Sequence, residues 1–166
     1  MLARTRARLL GYLVDELLLF VISTVITETL GRLGLPAGMG ALALTSPDRP
    51  AALVLGTSIT LLLSLAYYLT LWTGGRRTIG MRVFRMRVVD AAGSPVDRRQ
   101  ALRRWLILAG VFYLLNWVGL ASGLDLFQIL VLYAWFLVLL VSTWRNRDHQ
   151  GVHDRVAHTF VISSRH

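Results

Sequence analysis

Residues Leu9–Leu30 read LLGYLVDELLLFVISTVITETL, a run of 22 positions whose only ionisable side chains are Asp15, Glu16 and Glu28. An α-helix rises about 1.5 Å per residue, so about 20 apolar residues cross the hydrocarbon of a bilayer. This run is long enough. Three more follow it: Ala51–Thr73, Trp105–Ala121 and Leu126–Trp144, of 23, 17 and 19 residues. The third is at the short limit for a span. Together the four runs take up 81 of 166 residues. Apolar runs of this length satisfy their backbone inside lipid only as helices. The expected fold is therefore an all-α membrane protein: a single domain over residues 1–166 built as an antiparallel four-transmembrane-helix bundle.

The composition agrees with that reading. Hydrophobic residues make up 55% and charged residues 16%, against roughly 45–50% and about 25% in soluble domains. This disfavours a soluble enzyme and a disordered chain. With no cysteine in the chain, disulfide scaffolds, thiolate metal sites and cysteine nucleophiles are excluded. The net charge of +9 invites a nucleic-acid reading, but its distribution does not support one. All 18 basic residues are arginines lying outside the apolar runs, most of them in three clusters. Membrane topology explains this pattern, so the expected partners are the lipid bilayer and its anionic head groups rather than nucleic acid.

Arginine positions also give the orientation. The N-terminus, the segment between spans two and three, and the C-terminal tail hold 16 arginines, whereas the opposite side has only Arg32 and Arg49. The positive-inside rule places both termini and residues 74–104 in the cytoplasm. Trp72, Trp105 and Trp144 then fall at the inner interface, where an aromatic belt is expected. Arg4–Arg8 also resembles the basic start of a signal peptide, with Ala41-Leu42-Ala43 as a cleavage site. Because Asp15 and Glu16 interrupt the run and it ends well before Ala41, the first span is expected to be retained.

Outside the spans, Gly31–Pro50 reads as an external loop and 119–125 as a short external turn. Arg82–Val89 (RVFRMRVV) is β-prone and stops at the turn signal Asp90-Ala91-Ala92-Gly93. Asp97 is placed to cap a helix through Arg98–Arg104 that runs into span three, with its arginines against anionic head groups. Thr159–Ser163 (TFVIS) is a second β-prone piece, so a short cytoplasmic β pairing is expected.

Ionisable residues inside spans are costly unless paired or wetted, which makes them the first functional candidates. Asp15 and Glu16 qualify, whereas Glu28 lies close enough to the outer end to reach the interface. Arg8 shares a helix face with Asp15, but the seven-residue separation puts it about 10.5 Å away along the axis, too far for a salt bridge. Asp15 must find its partner elsewhere. In the tail, His149 and His153 have a four-residue spacing that can bind zinc on one helical face. Two imidazoles beside an aspartate, without cysteine, fall short of a structural zinc set, and neither a metal nor a cofactor is expected. No nucleophile elbow, Ser-His-Asp order or Gly-rich phosphate loop appears, so the chain does not read as an enzyme.

The combined pattern resembles the RDD family of bacterial integral membrane proteins, named for one arginine and two aspartates. Arg8-Leu9-Leu10-Gly11-Tyr12-Leu13-Val14-Asp15 is similar to the family's opening Arg and first-helix Asp. Thr78-Ile79-Gly80, followed by Arg87-Val88-Val89-Asp90 and Gly93, resembles its central segment, and Gln100–Arg104 its entry to the next span. Gln150–Thr159 resembles the closing motif, with Asp154 as the second Asp. Met81 stands where a Lys is usual, and Arg85 and His158 where Gly is common. The resemblance implies a small multi-pass protein of the cell (inner) membrane, related to transport, with Arg8, Asp15 and Asp154 as its motif residues and Glu16, Arg104, His153 and Arg155 as secondary candidates.

Two functions fit these residues, and the resemblance tips the expectation toward the first, with the second as its alternative. In the first, Asp15 alternates between a proton and a cation in an exchange cycle tuned by Arg8; four spans leave little room for such a pathway in one protomer, so this requires a homo-oligomer. In the second, the protein is a non-catalytic partner or assembly module. Arg8, Asp15 and Asp154 then form a structural clasp that docks the tail on span one, with an Arg-rich face toward lipid or a membrane partner protein.

Overall fold

The computed structural model describes residues 2–35, 49–75, 77–122, 125–146 and 150–163. Helix α1 (Thr5–Arg32) is followed by α2 (Arg49–Trp72), a 3-10 turn (Thr73–Gly75) and the short α3 (Ile79–Val83). Strand β1 (Met86–Asp90) leads to α4 (Arg98–Trp105), which continues through a π-helical turn (Leu106–Gly110) into α5 (Val111–Ser122). Helix α6 (Asp125–Arg145), the short α7 (Val152–Ala157) and strand β2 (Thr159–Ser163) are the last of the described elements. Among the described residues, three helical segments are long and apolar enough to cross a membrane: Thr5–Arg32, Ala51–Trp72 and Arg98–Gly119. The chain is a mostly helical membrane protein. The external loop expected at Gly31–Pro50 lies largely outside the described residues.

The two longest helices share a pattern. The buried positions of α1 are Gly11, Asp15, Leu19, Ser23 and Thr27, and those of α2 include Ala52, Gly56, Thr60, Ser64, Tyr68 and Trp72. Both sets step by four residues, which gathers them into one ridge on each helix. Several of these residues are small, and small residues allow helix backbones to approach closely in lipid. The hydroxyls do not remain unsatisfied: Thr27 Oγ1 donates to the Ser23 carbonyl and Thr60 Oγ1 to the Gly56 carbonyl, each at 2.9 Å. Leucines, Phe20 and Val25 cover the opposite face of α1 and are exposed, as a lipid-facing surface should be.

At one end of the bundle the polar elements form a small platform. β1 and β2 pair antiparallel, with Val88 opposite Val161 and Asp90 opposite Thr159. The chain start joins the free edge of β2, where the Ala3 amide donates to the Val161 carbonyl at 2.9 Å. Asp90 Oδ1 closes the following turn by accepting from the amides of Ala92 and Ser94. Asp97 caps α4, accepting from the Gln100 amide at 2.7 Å while Gln100 Oε1 accepts from the Asp97 amide at 3.1 Å. This reciprocal pair satisfies two donors that the helix start leaves open.

Several expectations need correction. The β-prone stretch Arg82–Val89 is helical in its first residues, because the Thr78 side chain accepts from the Met81 amide and starts α3 there. Helix α3 ends before Arg85, which has φ +52°. His158 has the same φ and closes α7. These are the two positions where the resemblance led us to expect glycine; a side chain in this left-handed region costs about 1–2 kcal/mol. The helix expected to begin span three starts at Arg98, as its cap required, but a π-helical turn follows that the apolar pattern did not reveal. Trp72 and Trp105 are not belt residues: both are buried, whereas Trp144 is 74% exposed.

Candidate functional site

Asp154 lies in the first turn of α7 and is 0% exposed. Its carboxylate takes one guanidinium on each oxygen: Arg104 on Oδ1 and Arg8 on Oδ2. Oδ2 also accepts from the Gly151 amide at 3.1 Å, so the carboxylate caps its own helix. Arg104 Nη1 donates in addition to Thr159 Oγ1 at 2.9 Å. One carboxylate thereby joins the start of α1, the end of α4 and the tail helix, and through Arg104 the first residue of β2. Charged groups persist in a dry interior only when paired and hydrogen-bonded in this way.

The sequence expectation for Arg104 requires revision. Arg98, Arg99 and Arg103 are exposed along α4, as head-group contacts would be, but Arg104 is only 3% exposed and points inward. Its guanidinium carbon lies 4.9 Å from the centroid of the Trp72 ring, a distance at which a cation is attracted to the ring face.

His153 packs beside the clasp, with Nε2 3.5 Å from Asp154 Oδ2. Burial, reinforced by Arg104 and Arg8 against the opposing pull of Asp154, pushes its pKa down to about 3. Burial alone would raise the Asp154 carboxyl, but the charges around it, Arg104 foremost, hold it well below the usual carboxylate range. The imidazole is therefore neutral in the fold. The unfolded chain binds a proton at His153 below about pH 6.5, so the folded state holds fewer protons between that value and about 3. Stability contributed by the neutral imidazole is complete above pH 6.5 and is lost as pH falls through this window. Thermal midpoints in detergent should fall between pH 7 and 4, and His153→Gln should flatten that slope. Equal slopes for both proteins would contradict the assignment.

Asp15 belongs to a second cluster, on the same face of α1. It is 2% exposed, and Oδ1 accepts from the Tyr67 hydroxyl and the Gly80 amide, each at 2.7 Å. Tyr67 Oη accepts from the Ile79 amide at 3.0 Å, and Thr78 Oγ1 from the Met81 amide at 3.2 Å. Three successive N–H groups at the start of α3 are satisfied by side chains from three places in the chain. The glycine backbones of α1 and α3 meet here, and a methyl group on Gly80 would fall on the Gly11 carbonyl oxygen. Glu16 points to α2, where the Tyr68 hydroxyl donates to it at 2.9 Å.

The structure thus brings Arg8, Arg104, His153 and Asp154 together. It sets Asp15 and Glu16 beside them on tyrosines, and leaves Arg155 exposed. His149, half of the candidate zinc pair, lies outside the described residues. Tyr67, Tyr68, Trp72 and Thr159 were not marked as candidates from the sequence. The two tyrosines and Trp72 stand one turn apart at the end of an apolar run, and their polar tips were the only signal.

Comparison with curated proteins and with solved structures finds no match. The model of the RDD family matches residues 2–158, a range that contains Arg8, Asp15, Gly80, Arg104 and Asp154 and so spans both clusters: the chain belongs to the RDD family.

Proposed function

We propose that the protein is a non-catalytic, multi-pass inner-membrane module whose Arg/Asp residues are a structural clasp. It crosses the bilayer four times with both ends in the cytoplasm, α6 being the fourth span. One observation carries this reading: Asp154 is fully buried and holds two arginines and a backbone amide. The clasp locks the tail helix and the β1–β2 pair onto the bundle end, where the arginine-rich segments also lie, and Asp15 holds α3 beside it. It fixes a firm face on which Arg98, Arg99 and Arg103 stand free for anionic head groups or a membrane partner protein. Each such arginine adds about 1 kcal/mol of attraction near an anionic surface.

A transport-related reading, cation/proton exchange at an intramembrane carboxylate, is favoured by one feature: Asp15 lines a cavity at the clasp end of the bundle. One experiment separates the two. Asp15→Asn is compared with wild type in proteoliposomes for dye-reported proton flux on adding different cations, and in detergent for thermal stability. As a structural cap, Asp15 is worth about 1–3 kcal/mol, the cost of leaving its buried donors poorly met. The variant should then melt several degrees lower, with no cation-driven flux in either protein. A variant that keeps its stability but loses a flux seen in wild type would establish exchange instead.

A further inference from the structure

The cavity at the clasp end has a volume of about 100 Å³. Five buried side-chain polar atoms among the described residues have no hydrogen-bond partner, and three of them belong to residues lining this cavity: Trp72 Nε1, Arg104 Nε and His153 Nδ1. Indole and guanidinium N–H groups can only donate. Because Arg104 stacks over Trp72, the two donors come from one packed pair. Both residues are more than nine-tenths buried. Donors left open in such a place call for an acceptor, and the cationic partner favours an anionic one. His153 Nδ1 could ligate a metal cation, but the two donors beside it cannot. The Asp15 carboxylate, which also lines the cavity, already accepts from Tyr67 and Gly80, so the open set fits an acceptor better than a metal.

The opposite wall indicates what carries the anion. It is formed by Phe136, Leu139 and Leu140 of α6, and Phe136 is half exposed, so the apolar wall reaches the outer face of the bundle. Helix α1 packs mainly on α2 and α3, whereas α6 packs mainly on α5 and α7. The cavity lies in the cleft between α1 and α6, beside two helices that read as lipid-facing. We propose that this cleft binds the oxyanion head of a membrane amphiphile: its phosphate or carboxylate oxygens accept from Arg104 and Trp72, and its first methylenes lie along Phe136 and Leu139. The site is separate from the exposed arginines of α4, and it shares Arg104 with the clasp, using the Nε donor that the pairing of Nη1 with Asp154 leaves open.

The test uses the full chain in a neutral detergent, titrated with dodecyl phosphate, with inorganic phosphate and with dodecyl maltoside, and reads the thermal midpoint. Dodecyl phosphate should raise the midpoint saturably and the other two should not. Trp72→Phe keeps the stacked ring but removes the donor, and should weaken dodecyl phosphate binding by about tenfold or more, the loss of one hydrogen bond to a charged group. Leu139→Trp fills the apolar half and should abolish the shift without touching the clasp, which keeps the test decisive if Trp72→Phe folds poorly. A full response to inorganic phosphate would overturn the amphiphile and assign the site to a soluble anion. An undiminished dodecyl phosphate response in Leu139→Trp would overturn the site itself. Failure of the clasp would appear separately, in the stability of variants at Asp154.

Discussion

Asp154→Asn is expected to destabilise the protein by about 3–5 kcal/mol, the usual cost of removing one partner from a buried ion pair. The substitution keeps the shape of the side chain and removes its charge, so packing loss contributes little. What remains is two guanidiniums, Arg8 and Arg104, in a site where the carboxylate was fully buried. For a chain of this length about 2–4 °C of melting temperature accompanies each kcal/mol, so a thermal scan in detergent should show a fall of roughly 6–20 °C. The tail should loosen first, because the Asp154 carboxylate also caps α7 through the Gly151 amide. Protease cleavage within α7 or β2 under native conditions would register this before global unfolding. A variant that melts with wild type would show that the arginines find other compensation.

Gly80→Ala should be the second most damaging single change. In an ordinary helix, alanine in place of glycine stabilises by about 0.8–1 kcal/mol. Here the sign reverses, because the added methyl group would fall on the Gly11 carbonyl oxygen and 3.0 Å from the Asp15 carboxyl carbon. Backbone cannot swing aside as a flexible side chain can, so α3 must move away from α1. That movement stretches the bond from the Gly80 amide to Asp15 as well as the contact itself. Overpacking costs about 1–3 kcal/mol and more where backbone must shift, and the lost cap adds about 1 kcal/mol. The measurement is again the melting temperature, and a neutral or stabilising result would show that α1 and α3 are not held at this distance.

The sequence disclosed those parts of the fold whose causes are local. The apolar runs marked the long helices, Asp97 three residues before Gln100 marked a capped helix start, and Thr159–Ser163 marked a strand at its observed bounds. The start of α3 was not legible, because it depends on Asp15 and Tyr67, residues distant in the chain whose side chains meet its first amides. Local propensity in RVFRMRVV pointed to strand throughout, and tertiary hydrogen bonds took its first residues into a helix. The burial of Trp72 and Arg104 was hidden for a related reason. A tryptophan at the end of a span and an arginine just outside one both read as interface residues until the tail folds back over them. The clasp itself was partly legible, since Arg8 and Asp15 are too far apart on one helix to satisfy each other and the tail supplied a second carboxylate. That Arg104 would share this carboxylate had no spacing signal, because it comes from a different helix.

The clasp is tested most directly by a double-mutant cycle on Arg8 and Asp154, using Arg8→Gln, Asp154→Asn and the two together, with unfolding free energy as the readout. If Arg8 and Asp154 stabilise each other across the bundle end, removing the second charge costs less once the first is gone. The double variant should then be more stable than the sum of the single losses predicts, by about 0.5–3 kcal/mol, the range for side chains in one network. Strict additivity would contradict the clasp, because it would mean that the two charges act independently.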